Sequence, residues 1–530
     1  MKSPGAATSV TDDETYLQIK SAKKPKSGVP RDLPRKITEE FAPELSTPVS
    51  IIINSILATG EWPQQWKLEQ VIPIAKISQP QSEDDLRPIS LTPFLSKVTE
   101  HFIAKWLLHH IGDKIDFRQY GGQKGNSVNH YLIELINFIL YSQDSRDQVA
   151  VLACIVDFKK AFNRQSHEIL VTKLSDLGVP GWLLLLVIAF LKDRKMKVNF
   201  HGKSSSEKYL PGGGPQGTII ALILFLVLIN DLGFSGQLNN AGEVITKITR
   251  TYVEGKIHLK YVDDFTVAES IDLHTQLRTV EKREYPDSFH ERTGHVLPVE
   301  NSKVLNQLMS TLEYAGNHEM KLNQNKTKLM VFNNCTSMDF MPHFNLEAEE
   351  LHVVEEMKLL GVHLTSDLKW HTNTSNMIKK ANSKLWILRR LKKLGADQDA
   401  LTDIYCKQVR CHLEFAAPVW QGAITKGERS DIERVQRCAL RIILNEKYDS
   451  YESALKLVGL EDLESRRTRL CLNFALKATK NVKYQHWFSK KFKHINTRSK
   501  TKFCTVNAKH ARYEKSPISY LTQLLNKYYE

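Results

Sequence analysis

The sequence contains few cysteines and lacks any long apolar segment. Its seven cysteines, in 530 residues, are widely scattered and form no C-x-x-C pair. Such a set predicts free thiols in a reducing compartment rather than a disulfide framework. The polar start M-K-S-P-G-A-A-T-S-V lacks the apolar core of a signal peptide. The longest apolar runs, 182–191 and 219–229, are too short to cross a bilayer comfortably, so both are predicted to be buried core elements.

Acidic residues are too few to balance the cations. The net charge is +14, and residues 371–530 carry 32 Lys and Arg against 15 Asp and Glu, a net +17 that leaves −3 for the rest. A basic third on a nearly neutral body predicts a polyanionic partner, although a solvated lysine-rich surface is the alternative. In the stretch N-V-K-Y-Q-H-W-F-S-K-K-F-K-H at 481–494, cations alternate with Tyr484, Trp487 and Phe488. This pattern predicts phosphate neutralisation together with base stacking.

The length predicts roughly two to four domains. Hydrophobic periodicity predicts helices over 36–59, 96–111 and 128–142, and a long apolar helix that begins at Gln216. Strands are predicted at 69–76 and at 148–158, where a β-branched run ends in a carboxylate. The segment H-L-K-Y-V-D-D-F-T-V-A, 258–268, predicts a strand, a tight turn and a strand, and the chain beyond Gly361 is predicted to be mostly helical.

Two adjacent carboxylates, Asp263 and Asp264, stand in the otherwise apolar stretch L-K-Y-V-D-D-F-T-V-A. A plain hairpin turn would explain them, since Asp favours turns. Asp157, however, ends the buried strand about a hundred residues earlier. Three carboxylates on adjacent strands of one sheet repel one another unless cations neutralise them. Two divalent ions about 3.5–4 Å apart would do so and would clamp both oxygens of a phosphoryl transfer. Oxygen ligands favour Mg²⁺.

Further blocks accompany these carboxylates in a fixed order. They are V-D-F-K-K-A-F-N-R-Q-S-H-E-I-L, G-G-P-Q-G-T, Y-V-D-D, L-N-Q-N-K-T-K-L-M-V-F and L-L-G-V-H-L-T-S-D-L-K-W, preceded by G-E-W-P-Q-Q-W-K and L-R-P-I-S-L-T-P-F. From about residue 20 to about residue 460, the chain resembles reverse transcriptases of non-LTR (LINE-type, jockey-like) retrotransposons. The resemblance implies an α+β right-hand polymerase with fingers, a palm containing an antiparallel sheet, a helical thumb and a basic helical C-terminal region.

The resemblance also implies an organisation and a function. It divides the chain into an N-terminal loop and helical lead-in (1–56), fingers and palm (57–340), palm–thumb junction strands (341–370) and a thumb with a basic nucleic-acid-binding region (371–530). The implied activity is that of an RNA-directed DNA polymerase acting on an RNA template, a DNA primer and dNTPs, without a membrane partner. The implied cofactor is two Mg²⁺ ions, which Mn²⁺ can replace, and the implied site of action is intracellular and nuclear. The oligomeric state is not specified.

Individual roles follow from the same resemblance. Asp157, Asp263 and Asp264 match the catalytic, metal-binding carboxylates, and the Phe158 carbonyl would complete the shell of one metal. Phe162 matches the aromatic residue beneath the nucleotide sugar that excludes a 2′-hydroxyl, although a core aromatic is the alternative interpretation.

Other matched residues surround the nucleotide. Gln216 and Gly217, in G-P-Q-G, match the turn that contacts the incoming nucleotide and the template backbone. Lys76 and Arg87 match finger cations that hold the triphosphate. Lys326 matches a catalytic cation that protonates or neutralises the leaving pyrophosphate.

The chain departs from the family pattern in places. Asn163 stands where Asp is usual, and Leu222 stands where Pro is common. Some fifty residues precede the fingers, too few for an apurinic-type endonuclease, and no RNase H carboxylate set is recognisable, so a complete chain would copy RNA without nicking its own target. Two other functions stay open at this point: a degenerate or co-opted copy that binds RNA without catalysis, and an RNA-templated RNA polymerase.

Overall fold

The structure is a computed structural model of the chain. It describes residues 9–22, 32–77, 79–145, 148–210, 212–233, 252–253, 255–279, 295–298, 301–333, 341–342, 344–346, 349–490 and 502–530.

The first part of the chain forms a helical lead-in and a β-hairpin. Its elements are helices α1 (Asp12–Ser21), α2 (Arg35–Glu40), α3 (Ala42–Thr59) and α4 (Phe94–Ile111) and strands β1 (Leu68–Ala75) and β2 (Leu86–Leu91). The helices predicted over 36–59 and 96–111 and the strand at 69–76 are therefore confirmed.

The middle of the chain alternates helices with an antiparallel sheet. Its elements are α5 (Val128–Ser145), β3 (Val149–Val156), α6 (His167–Asp176), α7 (Gly181–Leu191), β4 (Lys195–Phe200), β5 (Lys203–Ser204), β6 (Lys208–Tyr209), α8 (Ile219–Leu228), β7 (Tyr252–Val253), β8 (Lys256–Tyr261), β9 (Asp264–Asp272), β10 (Arg278–Thr279), β11 (His295–Leu297), α9 (Lys303–Asn317) and β12 (Lys328–Phe332). The predicted 128–142 helix, the buried strand ending at Asp157 and the strand–turn–strand at 258–268 are confirmed.

The last part is mostly helical, as predicted. Short strands come first: β13 (Met341–Pro342), β14 (Asn345–Leu346), β15 (Glu349–Glu350), β16 (Glu356–Leu359) and β17 (Val362–Thr365). The helices that follow are α10 (His371–Asn382), α11 (Leu385–Lys393), α12 (Gln398–Ile404), α13 (Cys411–Glu414), α14 (Ala417–Trp420), α15 (Lys426–Leu444), α16 (Tyr451–Val458), α17 (Leu463–Ala478), α18 (Ala511–Glu514) and α19 (Pro517–Tyr529).

The fingers sheet is assembled from two distant parts of the chain. Strand β1 pairs antiparallel with β2 and parallel with β4, and β5 and β6 both pair with β4. A buried ion pair joins the two parts, because Arg194 Nε lies 2.6 Å from Glu69 Oε1. The β4 hairpin comes from between palm helices in sequence, yet it completes the fingers.

The palm sheet has the strand order β12-β3-β9-β8-β7, antiparallel throughout. Every residue of β3 is buried, because side chains alternate between two covered faces. Ala150, Leu152, Cys154 and Val156 pack in one core with α4 and α6 to α9. Val151, Ala153 and Ile155 pack in a second core with α5 and the C-terminal helices.

Helix α8 begins later than predicted. We expected a long apolar helix from Gln216, but the helix starts at Ile219 and ends at Leu228. The Thr218 side chain caps its N-terminus, and buried Glu100 accepts a hydrogen bond from the Ile219 N–H at 2.9 Å. The preceding G-P-Q-G forms a turn, since Gly217 has a φ of +115°.

The aromatic residues of 481–494 do not lie on the surface. Tyr484, Trp487 and Phe488 are 0%, 5% and 4% exposed and belong to the C-terminal core; residues 491–494 lie outside the described part. The prediction that these rings stack on nucleic-acid bases is therefore wrong. The rings instead attach the C-terminal third to α5, since Trp487 Nε1 donates to Glu134 Oε1 at 2.8 Å.

The two longest apolar runs correspond to α7 and α8, which are buried as predicted. None of the helices in the described part of the chain combines the length and the hydrophobicity needed to cross a membrane.

Candidate active site

The β8–β9 hairpin closes with a two-residue loop. Tyr261 pairs with Asp264, so Val262 and Asp263 form the turn. Val262 has a φ of +57°, a region that β-branched residues rarely occupy and that hairpin loops usually fill with Gly, Asn or Asp. The backbone immediately before Asp263 is therefore strained.

Residues 118–121 support this strained turn from the side. Gln119 bridges to Lys260 of β8, and its Oε1 accepts hydrogen bonds from the Val262 N–H at 3.0 Å and the Gly121 N–H at 2.9 Å. A Cβ on Gly121 would lie 2.6 Å from both Val262 N and Val262 Cγ2. Only glycine allows the two backbones to approach so closely.

The strand register brings the predicted carboxylates together. Val156 pairs with Phe265, so one residue further Asp157 lies opposite Asp264. Directly opposed residues on antiparallel strands have Cα atoms about 4.5–5.5 Å apart. By alternation, both acidic residues share the sheet face of Ile155 and Thr266, and Asp263 follows in the adjoining turn.

A turn before β12 holds Asp157 in place. Asn323 Nδ2 donates to Asp157 Oδ2 at 3.0 Å, and the Asn323 N–H donates to the Asp157 carbonyl at 2.7 Å. Lys326 Nζ lies 3.7 Å from Asp157 Oδ2, with its side chain 60% exposed. The amide fixes the carboxylate, and Lys326 supplies a cation at its solvent side.

Burial and mutual repulsion disfavour the ionised forms of two of the carboxyl groups. Burial, together with the charges of Asp263 and Asp157, raises the pKa of Asp264 to about 7, against the opposing charge of Lys326. Burial and the Asp157 charge also raise the pKa of Asp263, against Arg87 and Lys326. A cation bound between these carboxyl groups would favour their ionised forms and lower their pKa values.

The donor atoms fit a hard divalent cation, because the acidic side chains and the neighbouring Phe158 carbonyl offer only oxygen. Among the described residues, however, no three His, Cys, Asp or Glu side chains are already gathered closely enough to hold one ion. The carboxylates are neighbours without forming a preassembled cage, so their side chains would have to converge when an ion binds.

The predicted nucleotide-contacting residues Phe162, Gln216 and Gly217 contact neighbours in the palm and the fingers. The Phe162 ring is half-buried and stacks on Phe225 of α8, with centroids 4.9 Å apart. The Gln216 carbonyl accepts a hydrogen bond from the Ser90 N–H at 2.9 Å, and Gly217 also lies against the Ser90 carbonyl. The G-P-Q-G turn thus joins the fingers to the palm.

A cleft of about 560 Å³ opens at this junction. It is lined by fingers residues that include Pro88 and Ser90 and by palm residues that include Gln165, Gly213 and Gln216. Gln165 is 1% exposed, and its amide atoms have no hydrogen-bond partner. The cleft is therefore lined by polar as well as apolar residues where the fingers meet the palm.

The two finger cations differ in position. Arg87 of β2 is exposed, and its charge acts on Asp263, so the structure places it near the carboxylates. Lys76 follows β1 and is exposed at the far end of the hairpin, where its charge lowers the pKa of Asp85 after the larger effects of backbone hydrogen bonds.

Several supporting residues escaped sequence reasoning. Gln119 and Gly121 hold the turn, and Asn323 orients Asp157. The adjacent glycines of R-Q-Y-G-G and the Asn of L-N-Q-N-K-T were visible, but a contact across a sheet is not encoded in local spacing. Of the two departures, Leu222 lies in α8 and Asn163 lies in the turn Ala161–Arg164, its side chain outside the described set.

The fingers sheet, the palm sheet with its adjoining carboxylates and the helical thumb define a right-hand polymerase. Residues 77–364, more than half of the chain, match the profile of the family described as reverse transcriptase (RNA-dependent DNA polymerase). The chain belongs to this family.

Curated relatives confirm the resemblance to non-LTR retrotransposons. The chain is 26% identical over 357 residues to the RNA-directed DNA polymerase from mobile element jockey of Drosophila melanogaster, covering 66% of this chain and 34% of the relative. It is 23% identical over 438 residues to the probable RNA-directed DNA polymerase from transposon BS of the same fly, covering 79% and 43%. The chain thus spans less than half the length of these relatives.

Among solved structures, telomerase from Candida tropicalis in complex with a fragment of telomeric RNA is similar at a TM-score of 0.39 and 12% identity, covering 91% of this chain and 65% of that one.

Proposed function

We propose that this chain is an RNA-directed DNA polymerase of a non-LTR retrotransposon, which extends a DNA primer on an RNA template with dNTPs. The observation that carries the proposal is the register that sets Asp157 opposite Asp264, with Asp263 in the adjoining turn. Membership of the reverse transcriptase family and similarity to the jockey polymerase support it.

The chain's own residues have distinct proposed roles. Asp157, Asp263, Asp264 and the Phe158 carbonyl would hold two Mg²⁺ ions, or Mn²⁺ in their place. When bound, these ions lower the pKa of the primer 3′-hydroxyl and neutralise charge on the leaving pyrophosphate. Asn323 keeps Asp157 oriented through its amide.

The surrounding residues position the nucleotide. Arg87 and Lys76 are proposed to contact the triphosphate, and Gln216 and Gly217 the nucleotide and the template backbone. Lys326 is proposed to offer a cation or a proton to the pyrophosphate, and its exposure and its distance of 3.7 Å from Asp157 support this role. Phe162, braced on Phe225, would lie under the sugar and exclude a 2′-hydroxyl. Catalysis then depends mainly on positioning and electrostatic stabilisation.

The proposal is tested by dTTP incorporation on poly(rA) primed with oligo(dT) in Mg²⁺. We expect incorporation by the unmodified chain and a fall of about a thousand-fold or more in Asp263→Ala, because a metal ligand is lost. The exposed thumb acid Asp449 provides the control, since Asp449→Ala should retain full activity.

In Phe162→Ala, the preference for dTTP over UTP should fall by about ten-fold or more, because a steric barrier is removed.

A folded chain that binds template–primer but incorporates nothing with any divalent metal would contradict the proposal. That result would favour the alternative, a degenerate copy that only binds RNA. Unchanged sugar selectivity in Phe162→Ala would remove the gate assignment alone. Incorporation of UTP in preference to dTTP by the unmodified chain would indicate an RNA polymerase.

A further inference from the structure

The strained turn 261–264, here called the catalytic turn, depends on a neighbouring segment for its conformation. Residues 116–121, the support segment, contact it through Gln119 and Gly121. A backbone held in a sparsely populated conformation persists only where its surroundings over-determine it. Whatever fixes the support segment therefore also fixes the backbone that carries Asp263 and Asp264.

One side of the support segment is fixed to the palm itself. Lys260 of β8 is fully buried, and its Nζ lies 2.7 Å from Asp116 Oδ2. Arg118 also pairs with Asp116, at 3.0 Å. The Tyr120 N–H donates to the Lys260 carbonyl at 2.8 Å. These contacts anchor the segment along β8 and leave its other side to a different partner.

That partner is a segment more than 350 residues further along the chain. Residues 481–488, here called the docking segment, place the Lys483 ammonium 3.9 Å from the Tyr120 ring centroid and 4.8 Å from that of Phe117. Lys483 Nζ also lies 3.4 Å from the Gln119 carbonyl. A partly desolvated ammonium over the faces of aromatic rings is attracted to them electrostatically.

Neighbouring residues strengthen the same contact. The Tyr484 hydroxyl donates to Asn126 Oδ1, and Asn126 Nδ2 donates to the Gln119 carbonyl at 3.3 Å. The Tyr484 ring stacks on His130 of α5, with centroids 4.1 Å apart. Burial lowers the pKa of Lys483 to about 8, against the opposing charges of Glu134 and Asp116. The docking segment thus contacts the Gln119 carbonyl directly through Lys483 and indirectly through Asn126, and the Lys483 ammonium is largely shielded from water.

We propose that Lys483, with Tyr484, is a positioning residue for the catalytic turn and acts through Gln119. The chain of contacts runs from Lys483 to the Gln119 backbone and the Tyr120 ring, then from Gln119 Oε1 to the Val262 N–H, next to Asp263. The docking segment, which belongs to the basic C-terminal region, thereby contributes to catalysis by stabilising the conformation of the catalytic turn. The kinetic consequence rests on the function proposed above, whereas the conformational consequence does not.

Hydrogen–deuterium exchange in the full-length chain tests the coupling without any assay of activity. In Lys483→Met, amides of the hairpin peptide covering 259–266 should exchange about five-fold faster or more, as loss of roughly 1 kcal/mol predicts. Lys483→Arg keeps a cation over the rings and should restore most of the protection. The exposed Lys480, three residues away, gives the control Lys480→Met, which should leave the hairpin unchanged.

Steady-state kinetics with poly(rA)–oligo(dT) separate positioning from nucleic-acid binding. Lys483→Met should lower kcat by about ten-fold, because small displacements of reacting groups are costly. Half-saturation by Mg²⁺ should rise, and the template–primer Kd should stay within about two-fold. Lys483→Arg should recover kcat.

Unchanged hairpin exchange in Lys483→Met would overturn the inference, as would a weaker template–primer Kd with unchanged kcat and Mg²⁺ dependence. Should Lys483→Met fail to fold, Tyr484→Phe removes only the hydroxyl on Asn126 and must show the same localised increase in exchange; no increase would overturn the inference. If the unmodified chain does not polymerise, the proposed function fails, and the exchange result still decides the coupling. If it polymerises and the exchange does not respond, only the coupling fails.

Discussion

At the scale of single residues, the site depends on close backbone approach as much as on charged groups. The missing side chain of Gly121 lets residues 119–121 lie against Val262, where a single carboxamide oxygen holds two N–H groups. Displacing a catalytic carboxylate by even about 1 Å can lower the rate of a reaction severely. Gln119 and Gly121, which take no part in the proposed reaction, therefore help to fix the position of Asp263.

Replacing Gly121 tests this dependence. In Gly121→Ala, a methyl group 2.6 Å from Val262 N forces the turn to shift, so we expect nucleotide incorporation to fall by about 10- to 100-fold. The matched control is Gly316→Ala in α9, where a Cβ meets nothing within 4 Å and helix propensity improves by up to about 1 kcal/mol. Primer extension and thermal melts check both variants. Full activity in Gly121→Ala would contradict the role given to this contact.

At the scale of elements, α8 begins where side chains satisfy its first N–H groups. Glu100, fully buried in α4, accepts from the Ile219 N–H. Burial raises the pKa of Glu100 to about 7, although the hydrogen bond opposes the shift. The start of the helix that braces Phe162 is thus tied to a carboxyl group that titrates near neutral pH.

This pKa predicts a pH dependence of stability. The folded pKa of about 7 lies above the ordinary glutamate value of 4.5, so between these two pH values the folded chain binds more protons than the unfolded chain. Stability should therefore fall as pH rises from about 4.5 to about 7 and level off above that. Glu100→Gln should flatten this part of the profile and stabilise the chain at pH 8 by up to about 3 kcal/mol. Urea unfolding at pH 5 and pH 8 measures the difference; equal pH profiles in both proteins would contradict it.

The palm strands could be predicted from the sequence because their patterns are formed by residues that are adjacent in the chain. The β-branched run before Asp157 predicts a buried strand, and the apolar segments on either side of Asp263 and Asp264 predict two strands joined by a tight turn. The start of α8 was placed too early because the prediction overlooked the local N-cap Thr218 and because the second partner of its first turn, Glu100, lies more than a hundred residues away. The role of the aromatic residues near Trp487 was missed for the same reason, since alternation with lysine does not reveal a partner such as Glu134.

At the scale of the whole molecule, the described residues of the basic C-terminal third belong to the folded body. Tyr484, Trp487, Phe503 and Leu521 are buried in the core that covers one face of the palm sheet. Removing residues 471–530 would expose this core, so a truncated chain is a poor probe of nucleic-acid binding. Charged side chains on the thumb surface are better probes.

Helix α11 offers such a surface. Arg389, Arg390 and Lys393 are exposed, and Trp386 beside them is 59% exposed. If Arg389, Arg390 and Lys393 neutralise phosphates, replacing all three by Ala should lower the slope of log Kd against log salt by about 2. Lys369, already paired with Asp367 at 3.1 Å, is the control, since Lys369→Ala should leave the slope unchanged. Fluorescence anisotropy with a primed RNA template measures both, and an unaltered slope in the triple variant would exclude α11 as a phosphate contact.

The central claim is that Asp157, Asp263 and Asp264 jointly bind the divalent ions of the reaction. The most direct test counts Mn²⁺ by electron paramagnetic resonance in the complex with a chain-terminated template–primer and the next dNTP. We predict two protein-dependent ions per chain, with at least one lost in Asp157→Asn while template–primer binding persists. The same number of ions in Asp157→Asn and in the unmodified chain would contradict the account.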